Sequence, residues 1–378
     1  MLLDMSDRFK PADWTAAARA VAEAAAAHAE RHDADDSFVA EGFAQLKQAG
    51  LFKALVPVDL GGGGATIAEM CDVIRTIAKG CGSTALAFSM HCHLIAAAAW
   101  RREHQNAPTE ALLRRVAAED LILVSSGGND WLDSGGTAVK VEGGFEITAR
   151  KPFASGSPAG DLLMTSAVYD DPEEGRVVLH FGVPLKAPGV GSVATWQVLG
   201  MRGTGSNDLV LDKVFVADAA ISGRRPAGEW HMLFHVISKI AFAMIYAAYV
   251  GLAEAARDKA VALAARRSPD PLLAQIAGEL DNELLSARLA HERQVTIAMD
   301  WAPGPETTSA ALACRTLAGR HAIAAVSKAL DLAGGQGFYR KAGLERMLRD
   351  VQAARFHPLT EKAQQDLAGR TALGWPLA

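Results

Sequence analysis

His357 is an imidazole without an obvious packing role, and imidazole is the side chain whose ordinary pKa, about 6.5, suits proton transfer near neutral pH. It stands immediately before Pro358 in the string RFHPL. A proline disfavours helical geometry in the residue ahead of it, so the pattern predicts a titratable side chain at a helix break. Glu361 follows four residues after His357, close enough to pair with it if the segment is helical there. Upstream, Gly334, Gly335 and Gly337 interrupt a helix-forming context, as glycine does where backbone bends sharply or approaches a ligand. His91 and His93 sit in the apolar run TALAFSMHCHLIAAAAW, where a histidine is more often a hydrogen-bonded core residue than a proton carrier.

Positioning such residues takes a large scaffold, and 378 residues, half of them hydrophobic, are enough for two or three domains with a sizeable core. The formal net charge of -5 gives no reason to expect nucleic acid as a partner. Cys71, Cys81, Cys92 and Cys314 make no CxxC pair and no zinc-ligand spacing, so reduced thiols and no metal site are expected. The N-terminal residues contain no long apolar run, which predicts neither a signal peptide nor a membrane span and places the protein in the cytoplasm. No Gly-Lys-Ser/Thr follows Gly61 to Gly64, which argues strongly against a phosphate loop, and no Gly-x-Ser-x-Gly elbow supports a hydrolase.

From Ala16 to about Trp100 apolar residues recur at helical spacing, with Pro57 and Gly61 to Gly64 marking a loop between helices. Near Leu121 the character changes: LILVSS, TAVKVEGGFEITARKPFASG, DLLMTSAVYDD, RVVLHFGVPL and LVLDKVFV are short β-type runs divided by Gly, Asp and Pro turns. From about Trp230 long helical patterns return. The predicted class is α+β: an all-helical N-terminal domain (1–118), a central β-barrel or sandwich domain (119–226) and a C-terminal helical bundle (227–378), the first and last packed together.

In this order, the strings LKQAGLFKALVPVDLGGGG, GFEITARKPFASG, VLGMRGTGSNDLVLDKVFV, VGLAEAARDKA, GGQGF and LERMLRD resemble the acyl-CoA dehydrogenase superfamily of flavoproteins across nearly the whole chain. The resemblance implies a homotetramer holding a flavin, FAD with FMN as the alternative, between the β domain and the C-terminal helices. It implies that Ser155 lies near the flavin ring with Phe153 as its aromatic neighbour. Leu123 to Ser126, including the hydroxyls of Ser125 and Ser126, correspond to the strand that meets the ring's polar edge. The family's Thr-Glu-x-x-x-Gly-Ser-Asp pattern is present only as SSGGND, Ser125 to Asp130. Gly334 and Gly335 match the turn that meets the adenosine-diphosphate half of a flavin bound mainly by the neighbouring subunit. The arginine expected at the pyrophosphate falls on Arg266 or Arg267, without the usual Phe-Gly after it.

An acyl-CoA dehydrogenase removes a proton beside a thioester carbonyl while a hydride passes to the flavin, and its base is ordinarily a glutamate. Laid over the family pattern without gaps, that glutamate position falls on Pro358, and the helix that supplies it in a second arrangement, SKIAFAMIYAAYVG, contains no carboxylate. A related branch, the two-component flavin monooxygenases, takes reduced flavin from a separate reductase and needs no such base. His357, His93 and Ser155 resemble the polar residues of that branch and are the catalytic candidates. The expected function is therefore flavin-dependent desaturation of an acyl thioester, possible acyl-CoA substrates included, with a non-standard base and an electron-transfer flavoprotein as partner. The alternative is a reduced-flavin monooxygenase on the same scaffold, acting on a small molecule with a flavin reductase as partner. A flavin- or acyl-CoA-binding protein without catalysis is the third reading.

Overall fold

The computed structural model describes residues 13–126 and 130–377. Six helices come first: α1 (Trp14–Ala26), α2 (Ala29–Ala34), α3 (Ala40–Gln48), α4 (Ile67–Gly80), α5 (Gly82–Gln105) and α6 (Glu110–Glu119). α4 begins where Thr66 and Glu69 cap each other's backbone N–H groups, a reciprocal box that fixes a helix start. In the loop before it, a Cβ on Gly62 would lie 2.1 Å from the Val56 carbonyl oxygen, so only glycine lets the chain fold back there.

The strands follow: β1 (Leu123–Ser125), β2 (Thr137–Val141), β3 (Gly144–Lys151), β4 (Leu162–Asp171), β5 (Gly175–Pro184), β6 (Val190–Val193), β7 (Asp208–Ala217) and β8 (Ile221–Pro226). They form one eight-stranded mixed sheet in the order β6-β7-β3-β2-β4-β5-β8, with β1 parallel to the first part of β4. The inward side chains enclose a core of their own, including Ile147, Leu163, Leu179 and Leu211. Along β7 the buried positions change parity, from Leu209 and Leu211 to Val214 and Val216. Pairing with β3 shifts register at that point and Lys213 takes φ +50, the signature of an inserted bulge residue.

Five helices close the chain: α7 (Met232–Ala264), α8 (Pro271–Asp300), α9 (Pro305–Ala333), α10 (Leu344–Val351) and α11 (Glu361–Leu373). α7 is apolar on all sides because α4, α5, α8 and α9 surround it. By length and composition it could cross a bilayer, yet 94% of its apolar window is buried inside the protein. A single core runs through both helical blocks, joining Phe52, Ile74 and Phe88 to Tyr246, Leu284 and Val326. The first and last blocks therefore pack together, and the sheet leans against the seam.

Candidate active site

A cavity of about 660 Å³ lies between the sheet, α5, α7 and the loop before α11. Seven of the sequence-derived residues line it: His93, Leu123, Ser125, Ser126, Phe153, Ser155 and His357. Four do not. Arg266, Arg267, Gly334 and Gly335 lie outside it, where the end of α7 meets the end of α9. There Arg267 Nη1 donates to the Leu332 carbonyl at 3.5 Å, and a Cβ on Gly334 would sit 3.5 Å from the same nitrogen. Gly334 has φ +61 and ψ -152, a backbone region that only glycine enters freely. Of the SSGGND string, Gly127, Gly128 and Asn129 lie outside the described residues.

His357 is held from two sides. Its Nε2 is 2.5 Å from the Tyr249 hydroxyl, which α7 presents, with ring centroids 5.5 Å apart. Its carbonyl accepts from Arg315 on α9, a guanidinium that also reaches the Leu359 carbonyl and the Tyr246 hydroxyl. Burial, reinforced by the Arg315 charge, pushes the imidazole down to about 3. Burial also raises the Tyr249 phenol well above its ordinary range. At neutral pH the pair thus holds two protons, one on the phenol and one on the ring. Their mutual hydrogen bond uses one; when the phenol is its donor, the other sits on Nδ1 of His357, the member of the pair that lines the cavity.

Glu361 does not join this pair. It opens α11, partly exposed, and its carboxylate is engaged by Arg320, whose hydrogen bond lowers its pKa. The segment containing His357 is a non-helical turn, so the four-residue spacing does not bring the two side chains together.

The two histidines of α5 separate cleanly. His91 accepts the Leu123 N–H on Nδ1 at 3.0 Å and donates from Nε2 to the Phe52 carbonyl at 2.7 Å. With both nitrogens engaged, it is a brace between α5 and β1. His93, two residues on, points elsewhere because successive helical residues diverge by about 100°. Its Nδ1 faces the Ser89 carbonyl at 3.2 Å, and a carbonyl only accepts, so that nitrogen carries the proton. Burial lowers the ring to about 4, so it is neutral, and Nε2 is a free lone pair on the cavity wall, without a protein partner among the described residues.

The orientation of the Ser155 hydroxyl follows from the same bookkeeping. Thr204 Oγ1 donates to the Met201 carbonyl at 2.9 Å, which spends its only proton. Ser206 Oγ, 2.7 Å from Thr204 Oγ1, must then be the donor in that contact. Ser155 Oγ, 2.7 Å from Ser206, must in turn donate to it. Ser155 consequently meets the cavity as an acceptor. Phe153 stands beside it at the rim, φ +59 and 58% exposed, edge-on to Trp196 at 5.9 Å.

Several residues that line the cavity or stand behind its wall were given no role from sequence. Asp130 is held by the buried Lys151 at 2.7 Å, by Ser134 Oγ and by the Gly135 N–H. Arg225, 2% exposed, donates to the carbonyls of Asp130, Leu132 and Asp133 and to His180 Nε2 at 3.2 Å. That clamp fixes Trp131, which stacks on Trp230 with centroids 5.5 Å apart and packs on Phe234 and Phe242. A pair of adjacent arginines inside a short strand gives no periodic signal. Tyr246 and Tyr249, by contrast, lie three residues apart on α7, a spacing that puts both on the His357 side.

Comparison with known proteins agrees with this arrangement. The acyl-CoA dehydrogenase N-terminal domain matches residues 13–121, and the acyl-CoA dehydrogenase C-terminal domain matches residues 243–362. The acyl-CoA dehydrogenase-like protein YdbM of Bacillus subtilis is 30% identical over 358 residues, 88% of this chain and 89% of that one. The crystal structure of a nitrososynthase from Micromonospora carbonacea var. africana superposes with TM-score 0.87 at 25% identity, covering 97% of this chain and 98% of that one. KijD3, solved with FMN and a dTDP-linked amino-keto sugar, gives TM-score 0.87 at 26% identity over 97% of this chain and 94% of its own. With its two helical blocks matching the family's two domains and relatives spanning the sheet between them, the chain belongs to the acyl-CoA dehydrogenase family of flavin-dependent oxidoreductases.

Proposed function

We propose that the chain is the oxygenating component of a two-component flavin monooxygenase, supplied with reduced flavin by a separate reductase. One observation carries this reading. Asp130 is the only carboxylate lining the cavity among the described residues, and it is tied to Lys151, Ser134 and Gly135. The histidines there, His93, His180 and His357, are pushed to about 4, about 3 and about 3. Such weak bases are poorly matched to taking a carbon-bound proton near neutral pH, where an effective base titrates close to the working pH. Desaturation of a thioester, the other reading, lacks its base.

The lining fits a flavin ring, with the hydroxyls of Ser125, Ser126 and Ser155 as polar partners and Phe153 and Trp196 as aromatic flanks. Bound reduced flavin would supply the electrons that activate dioxygen for transfer of one oxygen atom to the substrate. Ser155, left as an acceptor, would take a hydrogen bond from a donor on the flavin. With the Tyr249 phenol donating to Nε2, the ring N–H of His357 would be available to oxygen in the cavity, and the His93 lone pair would accept from the substrate. The wall of Trp131, Phe234 and Phe242 keeps water out, which strengthens each of these contacts. Arg267, Gly334 and Gly335 would meet the adenosine-diphosphate half of FAD across a homotetramer contact; FMN lacks that half and would leave them unused. The likeness to a nitrososynthase supports the oxygenase reading, and that to KijD3, solved with FMN, supports a flavin on this scaffold.

The test is rapid mixing of photoreduced FMN or FAD with oxygenated buffer, with and without protein. The expected result is a marked delay in the return of oxidised-flavin absorbance when protein is present. Reoxidation at the rate of free flavin, together with bleaching of bound oxidised flavin by an acyl-CoA, would establish desaturation instead.

A further inference from the structure

The cavity has a second polar end that the chemistry above does not use. Three charged side chains line the cavity as a whole, among the described residues, and two are neutralised: Asp130 by Lys151, and Arg349 by Asp33 and Glu345. Arg101 is the third. Its Nε donates to the Gln105 amide oxygen at 3.3 Å, and its terminal nitrogens have no protein acceptor among the described residues. Its pKa is lowered by burial, and no carboxylate acts on it. A half-buried guanidinium without a counter-ion is costly, and an anion brought by a ligand would offset that cost.

The surroundings favour such an anion. Arg225 Nε donates to His180 Nε2, so the ring proton of neutral His180 sits on Nδ1, which has no protein partner among the described residues. His180 lines the cavity and lies close enough to Arg101 to feel its charge. This end therefore offers a guanidinium and an imidazole N–H, with Arg225 adding positive potential behind them.

The helix supplies a ruler. His93, Ala97 and Arg101 recur every four residues along one face of α5 and all line the cavity. Eight residues of α-helix span about 12 Å. Between the two ends the wall is apolar, with Leu94, Ala97 and Ala98 from α5 facing Phe234 and Phe242 from α7.

We propose that the cavity takes a substrate with an apolar body and one terminal carboxylate or comparable single anion, bound by Arg101 with His180, its reacting end near His93. The proposal rests on the cavity being the substrate site and is independent of whether oxygenation or desaturation occurs there.

Biphenyl-4-carboxylate and its neutral isostere biphenyl-4-carboxamide are suitable probes, rigid and of about the length that the helix sets. Each is titrated into the full chain, with and without oxidised FMN, by calorimetry and by quenching of tryptophan emission. The wild type should bind the carboxylate about tenfold more tightly than the amide, the worth of one charge-assisted contact. Arg101→Gln should erase that preference, and Arg101→Lys should restore part of it. Equal binding of the two probes by the wild type, or a preference that survives Arg101→Gln, overturns the anion site while leaving the cavity as a ligand site. Binding of neither probe overturns the cavity assignment and the proposal with it.

Discussion

Replacing Asp350 with asparagine isolates one electrostatic cost beside the site. The carboxylate is 4% exposed and accepts the Met201 N–H at 2.5 Å, linking α10 to the segment that carries Thr204 and Ser206. Gly200 makes the approach feasible, since a Cβ there would lie 2.3 Å from the Arg349 carbonyl. Burial is the largest influence on Asp350 and raises its pKa from 3.8 to about 6, against the lowering effects of the Met201 hydrogen bond and of Arg346. A carboxyl whose pKa is raised in the folded state stabilises the fold only while protonated. That contribution is fully present below 3.8 and is lost as the pH climbs through about 6. At about 1.4 kcal/mol per unit, the ionised group costs about 3 kcal/mol above that window. Asparagine keeps an oxygen for the Met201 N–H and never ionises. The stability of the variant relative to the parent should therefore rise by about 2.5 kcal/mol between about pH 4 and pH 8, whatever constant penalty the amide introduces. Urea unfolding of both proteins across that range measures the difference directly. A difference that stays flat with pH, or falls, would refute the reasoning.

Three further outcomes are expected. His357→Ala should slow turnover by about a hundredfold while leaving flavin affinity unchanged, and Tyr249→Phe should follow it in the same direction; full turnover in both would show the pair to be structural. Ser206→Ala breaks the chain that makes Ser155 an acceptor, so the ratio of reduced-flavin to oxidised-flavin affinity should fall by about fivefold, read from the midpoint potential of bound flavin. Arg267→Ala should weaken FAD by about tenfold and leave FMN untouched in fluorescence titrations, because only FAD carries the second phosphate and the adenosine. Equal loss for both flavins would remove Arg267 from cofactor binding.

The helical blocks were legible because their apolar spacing is strong. The string IAEMCDVIRTIAKG is α4 from end to end, and the Pro358 break does leave His357 outside a helix. β8 was not legible: ISGRRP has two adjacent arginines and a proline, and it is a strand because its backbone pairs with β5, the buried Arg225 being satisfied by carbonyls from 130 to 133. The pairing of His357 with Glu361 failed for a related reason, since a spacing of four means adjacency only inside a helix. His91 and His93 could not be told apart in the sequence, as nothing local says which face of α5 meets the cavity and which meets Phe52. The direction of the Ser155 hydroxyl depends on Thr204, Ser206 and the Met201 carbonyl, some fifty positions away, and on geometry that no string encodes.

The loop that presents His357 is fastened by its main chain. Arg315 grips the carbonyls of residues 357 and 359, and Tyr246 donates to the carbonyl of Ala354 at 2.5 Å. None of these anchors consults the identity of the side chain at 357. A different residue could occupy that place and be delivered to the same spot in the cavity, so the scaffold separates where a group is held from which group it is. Chemistry on this frame can change by exchanging one side chain while the mounting stays as it was.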